Sequence, residues 1–226
     1  MQPVVVVIPC HNEGATISSV ISGIEYPVVV VDNLSTDTTA EMARQSGASV
    51  VECSIKGAGA STKAGIDRAN AHIIVTLDGD GQHNPLQIDR IIDPIREGRA
   101  DVVIGSRFLR DYSIAWHRKL GIDIITFLYN VGAKVKVTDS QSCFRAFTKS
   151  IADDCWIIEK GFGFSTEFLI KARAKGYRIV EVPISCIYNG KSDHSMNAIR
   201  HGLQVAWATI KWRLLIDVLH IDNSHK

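Results

Sequence analysis

A chain of 226 residues with 25 Lys and Arg against 24 Asp and Glu carries a formal charge of +1, which leaves no broad basic footprint for a nucleic-acid backbone. That length suits one α/β domain with a C-terminal appendage. The five cysteines are scattered, odd in number and without a C-x-x-C pair, so neither a disulfide framework nor a zinc ribbon is expected and a reducing, cytoplasmic setting fits best.

Residues 4–8 form a short β-branched run ended by Pro9, and residues 28–31 repeat it before Asp32. Unbroken apolar strands of this kind predict a parallel sheet covered on both faces. The first strand follows Met1 too closely for a signal peptide, which is therefore not expected. Ile17, Val20, Ile21 and Ile24 fall at helical spacing between the two runs and complete a β-α-β unit. Residues 35–39 supply caps for a second helix reaching Arg44. The alternation continues with a strand near 48–51, a helix near 61–70, a strand at 73–77, a helix after Pro85 and a strand at 102–104. It then loosens into a helix over 119–133, a turn at 138–142 and a helix near 165–175. Residues 197–221 are helical in period, with Leu203, Trp207, Ile210 and Leu214 on one stripe and Lys211 and Arg213 beside it. Such a helix packs on its own domain, on a partner subunit or at a membrane interface. No run approaches the roughly 20 apolar residues that span a bilayer.

Asp78-Gly79-Asp80 directly follows the strand at 73–77, where two carboxylates one residue apart can converge on one hard cation. Gln82 and His83 lie close enough to add ligands. Alone, such a pair is equally an Asx turn in water. Asp32 ends another strand, where its carboxylate can accept hydrogen bonds from ribose hydroxyls or a base edge. A site is favoured because residues 9–13, Asp32 and Asp78-Gly79-Asp80 all follow strands of one sheet, and open α/β sheets bind ligands beyond their carboxyl ends. No G-x-G-x-x-G opens the first helix, which disfavours a dinucleotide oxidoreductase.

Ile8-Pro9-x-x-Asn12-Glu13, Val31-Asp32-Asn33-x-Ser35-x-Asp37-x-Thr39, Gly57-x-Gly59, Leu77-Asp78-x-Asp80-x-Gln82-His83 and Ile104-Gly105-Ser106-Arg107 occur in that order. Asp139-Ser140-Gln141-Ser142-Cys143-Phe144-Arg145-Ala146-Phe147, Glu167 and Glu181-Val182-Pro183-Ile184 follow. Over residues 4–192 the chain resembles the family-two glycosyltransferases of the GT-A fold, above all the dolichyl-phosphate mannose synthase group. The resemblance implies an α/β, Rossmann-like domain over 1–192, with a mainly parallel sheet and helices on both faces, followed by a C-terminal helical segment over 193–226. It implies inverting transfer of sugar from GDP-mannose or a UDP-sugar to polyprenyl or dolichyl phosphate. Pro9, Asn12, Glu13, Asp32, Asp78 and Gly79 would line the nucleotide-sugar pocket. Asp78, Asp80 and Gln82 would hold Mg²⁺ or Mn²⁺, with Asp80 and Arg107 as the catalytic residues.

An acceptor phosphate would meet Arg107, Arg118, Lys191 and Ser192, because guanidinium grips phosphate oxygens at two points. A lipid phosphate is already anionic and needs no protein base, whereas a hydroxyl acceptor needs one. Asp139 is then the first candidate, its other reading being a brace for the loop at 140–145. A non-catalytic nucleotide-sugar-binding subunit is the alternative from a different class. A lipid acceptor requires contact with the cytoplasmic face of a membrane, either peripherally or through a membrane-anchored partner. Cys143 stands where the family usually has glycine, so a positive φ there would strain it.

Overall fold

The structure is a computed structural model describing residues 2–110, 116–187 and 195–221; in the helices beginning at Trp116 and Ser195, side chains are described from Lys119 and Arg200 onward. Its strands are β1 (Val4–Cys10), β2 (Val28–Asp32), β3 (Ser49–Glu52), β4 (Ile73–Thr76), β5 (Val102–Ser106), β6 (Arg145–Thr148) and β7 (Ile179–Pro183). They form one sheet in the order β3-β2-β1-β4-β6-β5-β7. Every pairing is parallel except those of β6, which runs antiparallel to β4 and β5.

The helices are α1 (Ile17–Ser22), α2 (Thr39–Gln45), α3 (Ala58–Arg68), α4 (Ile88–Arg96), α5 (Trp116–Asn130), α6 (Lys149–Asp154), α7 (Phe164–Ala174) and α8 (Ser195–Arg213). Successive side chains of a strand point to opposite faces, and β1 shows why its sequence is apolar throughout. Val4, Val6 and Ile8 pack with Ile17, Val20, Ile88, Ile91 and Ile92 from α1 and α4. Val5 and Val7 face the other way, into a core shared with Ile66 of α3, Tyr129 of α5, Phe168 of α7 and Trp212 of α8.

The sheet is thus α/β and mainly parallel, as expected, with three elements the sequence did not reveal. Their residues show as motifs (β6, β7) or carry no sequence signal (α6). β6 holds four residues beginning with an arginine, too short and too polar for a periodicity signal. Arg145 is nevertheless buried, its guanidinium donating to Ser165 O at 2.7 Å and Ser140 O at 2.8 Å. β7 reads Ile179-Val180-Glu181-Val182, half-buried throughout, and ends on Pro183 at the sheet's edge, where a missing N–H is tolerated.

On α7 a buried pair joins Glu167 and Lys171, Nζ to Oε1 at 2.6 Å. Glu167 also accepts from the N–H groups of Ile158 and Glu159, at 2.9 and 2.8 Å, and so fixes the loop that crosses the start of α3. α8 packs on its own domain. Trp212 is buried with its Nε1 donating to Glu159 Oε1 at 2.9 Å, and Arg213 Nη1 donates to Leu128 O of α5 at 2.7 Å. Among the described residues no helix is long and apolar enough to cross a membrane.

Candidate active site

The carboxyl ends of β1 and β2 lie side by side, with Cys10 opposite Asp32 in the register and Asn33 N donating to Cys10 O at 2.9 Å. Beyond β1 the chain turns at Asn12, whose φ is 61°, a left-handed conformation that asparagine tolerates better than most residues. The segment after β2 holds that turn at four points. Ser35 Oγ accepts from Asn12 N at 3.0 Å, and Asn12 Oδ1 accepts from Thr36 N at 2.8 Å. Thr39 Oγ1 accepts from Glu13 N at 2.8 Å, and Asp37 Oδ2 from Gly14 N at 3.0 Å. The Ser35-x-Asp37-x-Thr39 motif is therefore a brace for the loop carrying Asn12 and Glu13, a role the sequence did not disclose.

Asn33 is buried and fixes a third loop. Its Nδ2 donates to Cys53 O and Ile55 O, and its Oδ1 accepts from Gly57 N at 2.8 Å. Gly57 has φ 136°, and a Cβ on Gly57 or Gly59 would lie 2.2 Å from Lys160 O or 2.0 Å from Glu159 O respectively. Close approach of the loop before α7 accounts for both glycines.

After β4 the acidic turn comes against the β1 loop. Thr16 Oγ1 donates to Gly79 O at 2.7 Å, and a Cβ on Gly79 would lie 2.6 Å from Cys10 Sγ. Asp80 Oδ1 accepts from Gln82 N at 2.9 Å. His83 is buried, with Nδ1 3.7 Å from Asp78 Oδ2 and no hydrogen-bond partner for that atom among the described residues. Burial, reinforced by the Arg107 charge, drives the His83 pKa down to about 4, so the ring is neutral at physiological pH.

Burial raises the Asp78 carboxyl, opposed by Arg107, a hydrogen bond with Cys143 and Arg145. Burial and then the charge of Asp80 push Glu13 up to about 7. Burial also raises the Cys10 thiol, helped by Glu13, Asp78, Asp32 and Asp80. The strand ends thus concentrate negative charge at one place.

Beyond β5, Arg107 meets Asp139. Nε donates to Oδ2 at 2.7 Å and Nη2 to Oδ1 at 2.9 Å. The same buried carboxylate accepts from the N–H groups of Arg107, Gln141 and Ser142, at 3.2, 3.2 and 3.1 Å. Burial pushes its pKa up, but Arg107 and these donors prevail and hold it below the usual carboxylate range. Glu181 of β7 secures the segment from beneath, accepting from Thr138 N at 2.7 Å and Asp139 N at 2.9 Å. Asp139 thus ties Arg107 to the backbone of the 139–142 loop.

Pro9 and Asp32 lie at the carboxyl ends of β1 and β2, and the expected residues Asn12, Glu13, Asp78, Gly79, Asp80 and Gln82 lie on the loops beyond β1 and β4 at the same end of the sheet, with the Arg107–Asp139 pair beyond β5. The Arg118 side chain, Lys191 and Ser192 fall outside the described residues. The anticipated strain at Cys143 is absent, since its φ is not positive. Among the described residues no three of His, Cys, Asp and Glu gather as a metal-holding group. The oxygen donors that fit a hard cation are the two carboxylates of Asp78 and Asp80 with the Gln82 amide.

A family model, Glycosyl transferase family 2, matches residues 5–156. Glycosyltransferase AglJ of Haloferax volcanii is 32% identical over 207 residues, covering 88% of this chain and 68% of that protein. The UDP-N-acetylglucosamine–dolichyl-phosphate N-acetylglucosaminyltransferase of Methanococcus voltae is 31% identical over 215 residues, covering 80% of this chain and 84% of that one. Among solved structures, glucosyl-3-phosphoglycerate synthase from Mycobacterium tuberculosis, in complex with Mn²⁺, UDP and phosphoglyceric acid, superposes with a TM-score of 0.78 at 20% identity, covering 93% of this chain and 78% of that one. That likeness establishes the GT-A fold.

Proposed function

The chain belongs to glycosyl transferase family 2 and is a glycosyltransferase, and from this we propose that it moves sugar from a nucleotide-diphosphate donor to a polyprenyl phosphate with the aid of Mg²⁺ or Mn²⁺. The observation that carries the acceptor reading is the saturation of Asp139. A carboxylate already accepting five hydrogen bonds, two of them from a guanidinium, is poorly placed to take a proton from a hydroxyl. A phosphate acceptor dispenses with that step, because its oxygen is anionic when it arrives. The Methanococcus relative, named for dolichyl phosphate, supports the same reading. The Mycobacterium structure, which holds Mn²⁺ and UDP, supports the donor and the metal.

In this reading the braced loop of Asn12 and Glu13, with Asp32, binds the nucleoside, and Asp78, Asp80 and Gln82 hold the cation. When bound, the cation supplies Lewis-acid neutralisation of the charge that develops as the nucleoside diphosphate leaves. Arg107, clamped by Asp139, is a positive charge fixed beside Asp78 and orients the incoming phosphate. Backside attack on the anomeric carbon inverts it in one displacement. Arg118, Lys191 and Ser192 complete the acceptor side in this proposal. Residues 1–192 carry the transfer, residues 193–226 extend it, and the enzyme works peripherally at the cytoplasmic face of a membrane.

The test is to incubate the protein and Mn²⁺ with a panel of GDP- and UDP-sugars and a polyprenyl phosphate. Labelled lipid identifies donor and acceptor together. Release of nucleoside diphosphate without labelled lipid would defeat the acceptor reading.

A further inference from the structure

α5 and α8 pack side by side, joined where Arg213 of α8 bonds to Leu128 of α5. Each buries one face, α5 through Ile122, Ile125 and Tyr129 and α8 through Val205, Ala208 and Trp212. Each also leaves a row of large apolar side chains in water. On α5 and the residue just past it the row is Leu120, Ile124, Phe127 and Val131; on α8 and the π-helical turn Leu214–Val218 that continues it the row is Leu203, Trp207, Ile210 and Leu214. Both rows follow the i, i+4, i+7, i+11 spacing that aligns residues along one side of a helix. Exposures of 66% at Phe127 and 68% at Trp207 exceed what a helix finished by its own core requires, and such rows on two packed helices mark an interaction surface.

The charges around the rows select the occupant. α8 contains no acidic residue; of its cations Lys211 is held by Glu159 at 2.6 Å and Arg213 by Asp217 at 2.9 Å, while Arg200 stands exposed. Lys134 and Lys136 stand exposed after α5. The two carboxylates on these elements are already engaged by cations of the chain itself, Asp123 by Lys119 at 2.6 Å and Asp217 by Arg173 and Arg213 at 2.5 and 2.9 Å. A second copy meeting this face symmetrically would bring its own cations against these, with no unengaged acid on the two helices to receive them. An anionic lipid surface satisfies both features, taking the apolar rows into its headgroup boundary and the exposed Arg200, Lys134 and Lys136 against its phosphates.

We infer that the paired outer faces of α5 and α8 seat the enzyme on an anionic bilayer surface. The inference deepens the lipid-phosphate reading, on which it rests for the choice of a bilayer. Its test uses neither donor nor acceptor. Failure of vesicle binding in a protein that still glycosylates lipid phosphate would sink this inference alone, and binding without lipid product would sink only the acceptor reading.

The full chain is mixed with phosphatidylcholine vesicles, with and without phosphatidylglycerol, and separated by flotation. Wild type is expected to float with the anionic vesicles and to be released by high salt. Phe127→Ser combined with Trp207→Ser should weaken that partition at least about tenfold while the far-UV spectrum and Tm stay as in wild type. A measurement free of mutation is quenching of wild-type tryptophan fluorescence by brominated anionic lipid, which is expected because Trp207 would enter the boundary. No flotation of wild type, equal flotation of the double variant, or absence of quenching would each overturn the inference. So would sedimentation showing a dimer that the double variant converts to monomer without any vesicle binding, because the face would then be covered by a second copy.

Discussion

Arg107 and Asp139 hold each other at two points, Nε to Oδ2 and Nη2 to Oδ1, with the Asp139 side chain fully buried and that of Arg107 only 11% exposed. Removing one partner of such a pair leaves an uncompensated buried charge, which costs about 3–5 kcal/mol. Asp139→Asn is therefore expected to lower Tm by on the order of 10 °C, read by differential scanning fluorimetry, together with a loss of transfer. A residue serving as a base alone would give the loss of transfer with an unchanged Tm.

Asp80 divides the metal reading from an ordinary turn. With Mn²⁺ at about a hundred times its Kd, wild type should gain roughly 2.7 kcal/mol of stability. Asp80→Asn should abolish most of that gain and reduce transfer by at least about a hundredfold. The variant keeps an oxygen that can accept from Gln82 N, so its metal-free Tm should stay near that of wild type. Full Mn²⁺ stabilisation of the variant would remove Asp80 from the ligand set.

Much of this site was legible because its parts sit at strand ends. The apolar runs at β1, β2 and β4 declare themselves by composition, and the polar residues that follow them are then placed at one edge of one sheet. What stayed hidden depends on contacts distant in sequence. Nothing local marks Asp37 and Thr39 as supports for Gly14 and Glu13, or Glu181 as the support for Asp139, because each acts across some 23 to 42 residues of chain. β6 was hidden for another reason. Arg145 is a charged residue at a buried strand position, made tolerable by two carbonyls that only the folded chain supplies. Motif order located these segments without explaining them.

Glu13 gives a prediction in pH. Its folded pKa of about 7 stands above the ordinary value of 4.5, so the folded state holds a proton that the unfolded state has already released. The stability this contributes is complete below about 4.5 and is lost as pH rises through about 7. Glu13→Gln cannot ionise, so in metal-free buffer its Tm should gain on that of wild type across this window and hold the gain above it. Saturating Mn²⁺ should shrink the difference by satisfying the wild-type carboxylate cluster. A Tm difference independent of pH would show that the carboxylate is not raised.

Gly59 sets two effects against each other. As the second residue of α3 it would gain up to about 1 kcal/mol from replacement by alanine if helix propensity decided the outcome. The added Cβ, however, would lie 2.0 Å from Glu159 O and 2.9 Å from Phe164 Cβ. That carbonyl cannot swing away freely, because the Glu159 N–H is tied to buried Glu167 and its side chain to Trp212 of α8. Overpacking of a fixed backbone costs about 1–3 kcal/mol, so Gly59→Ala should lower Tm, with the sign as the deciding observation. Gly57, two residues earlier, is bonded to Asn33, next to Asp32 at the end of β2; if Asp32 binds the nucleoside as proposed, the same substitution should also raise the KM for the nucleotide sugar more than it lowers kcat.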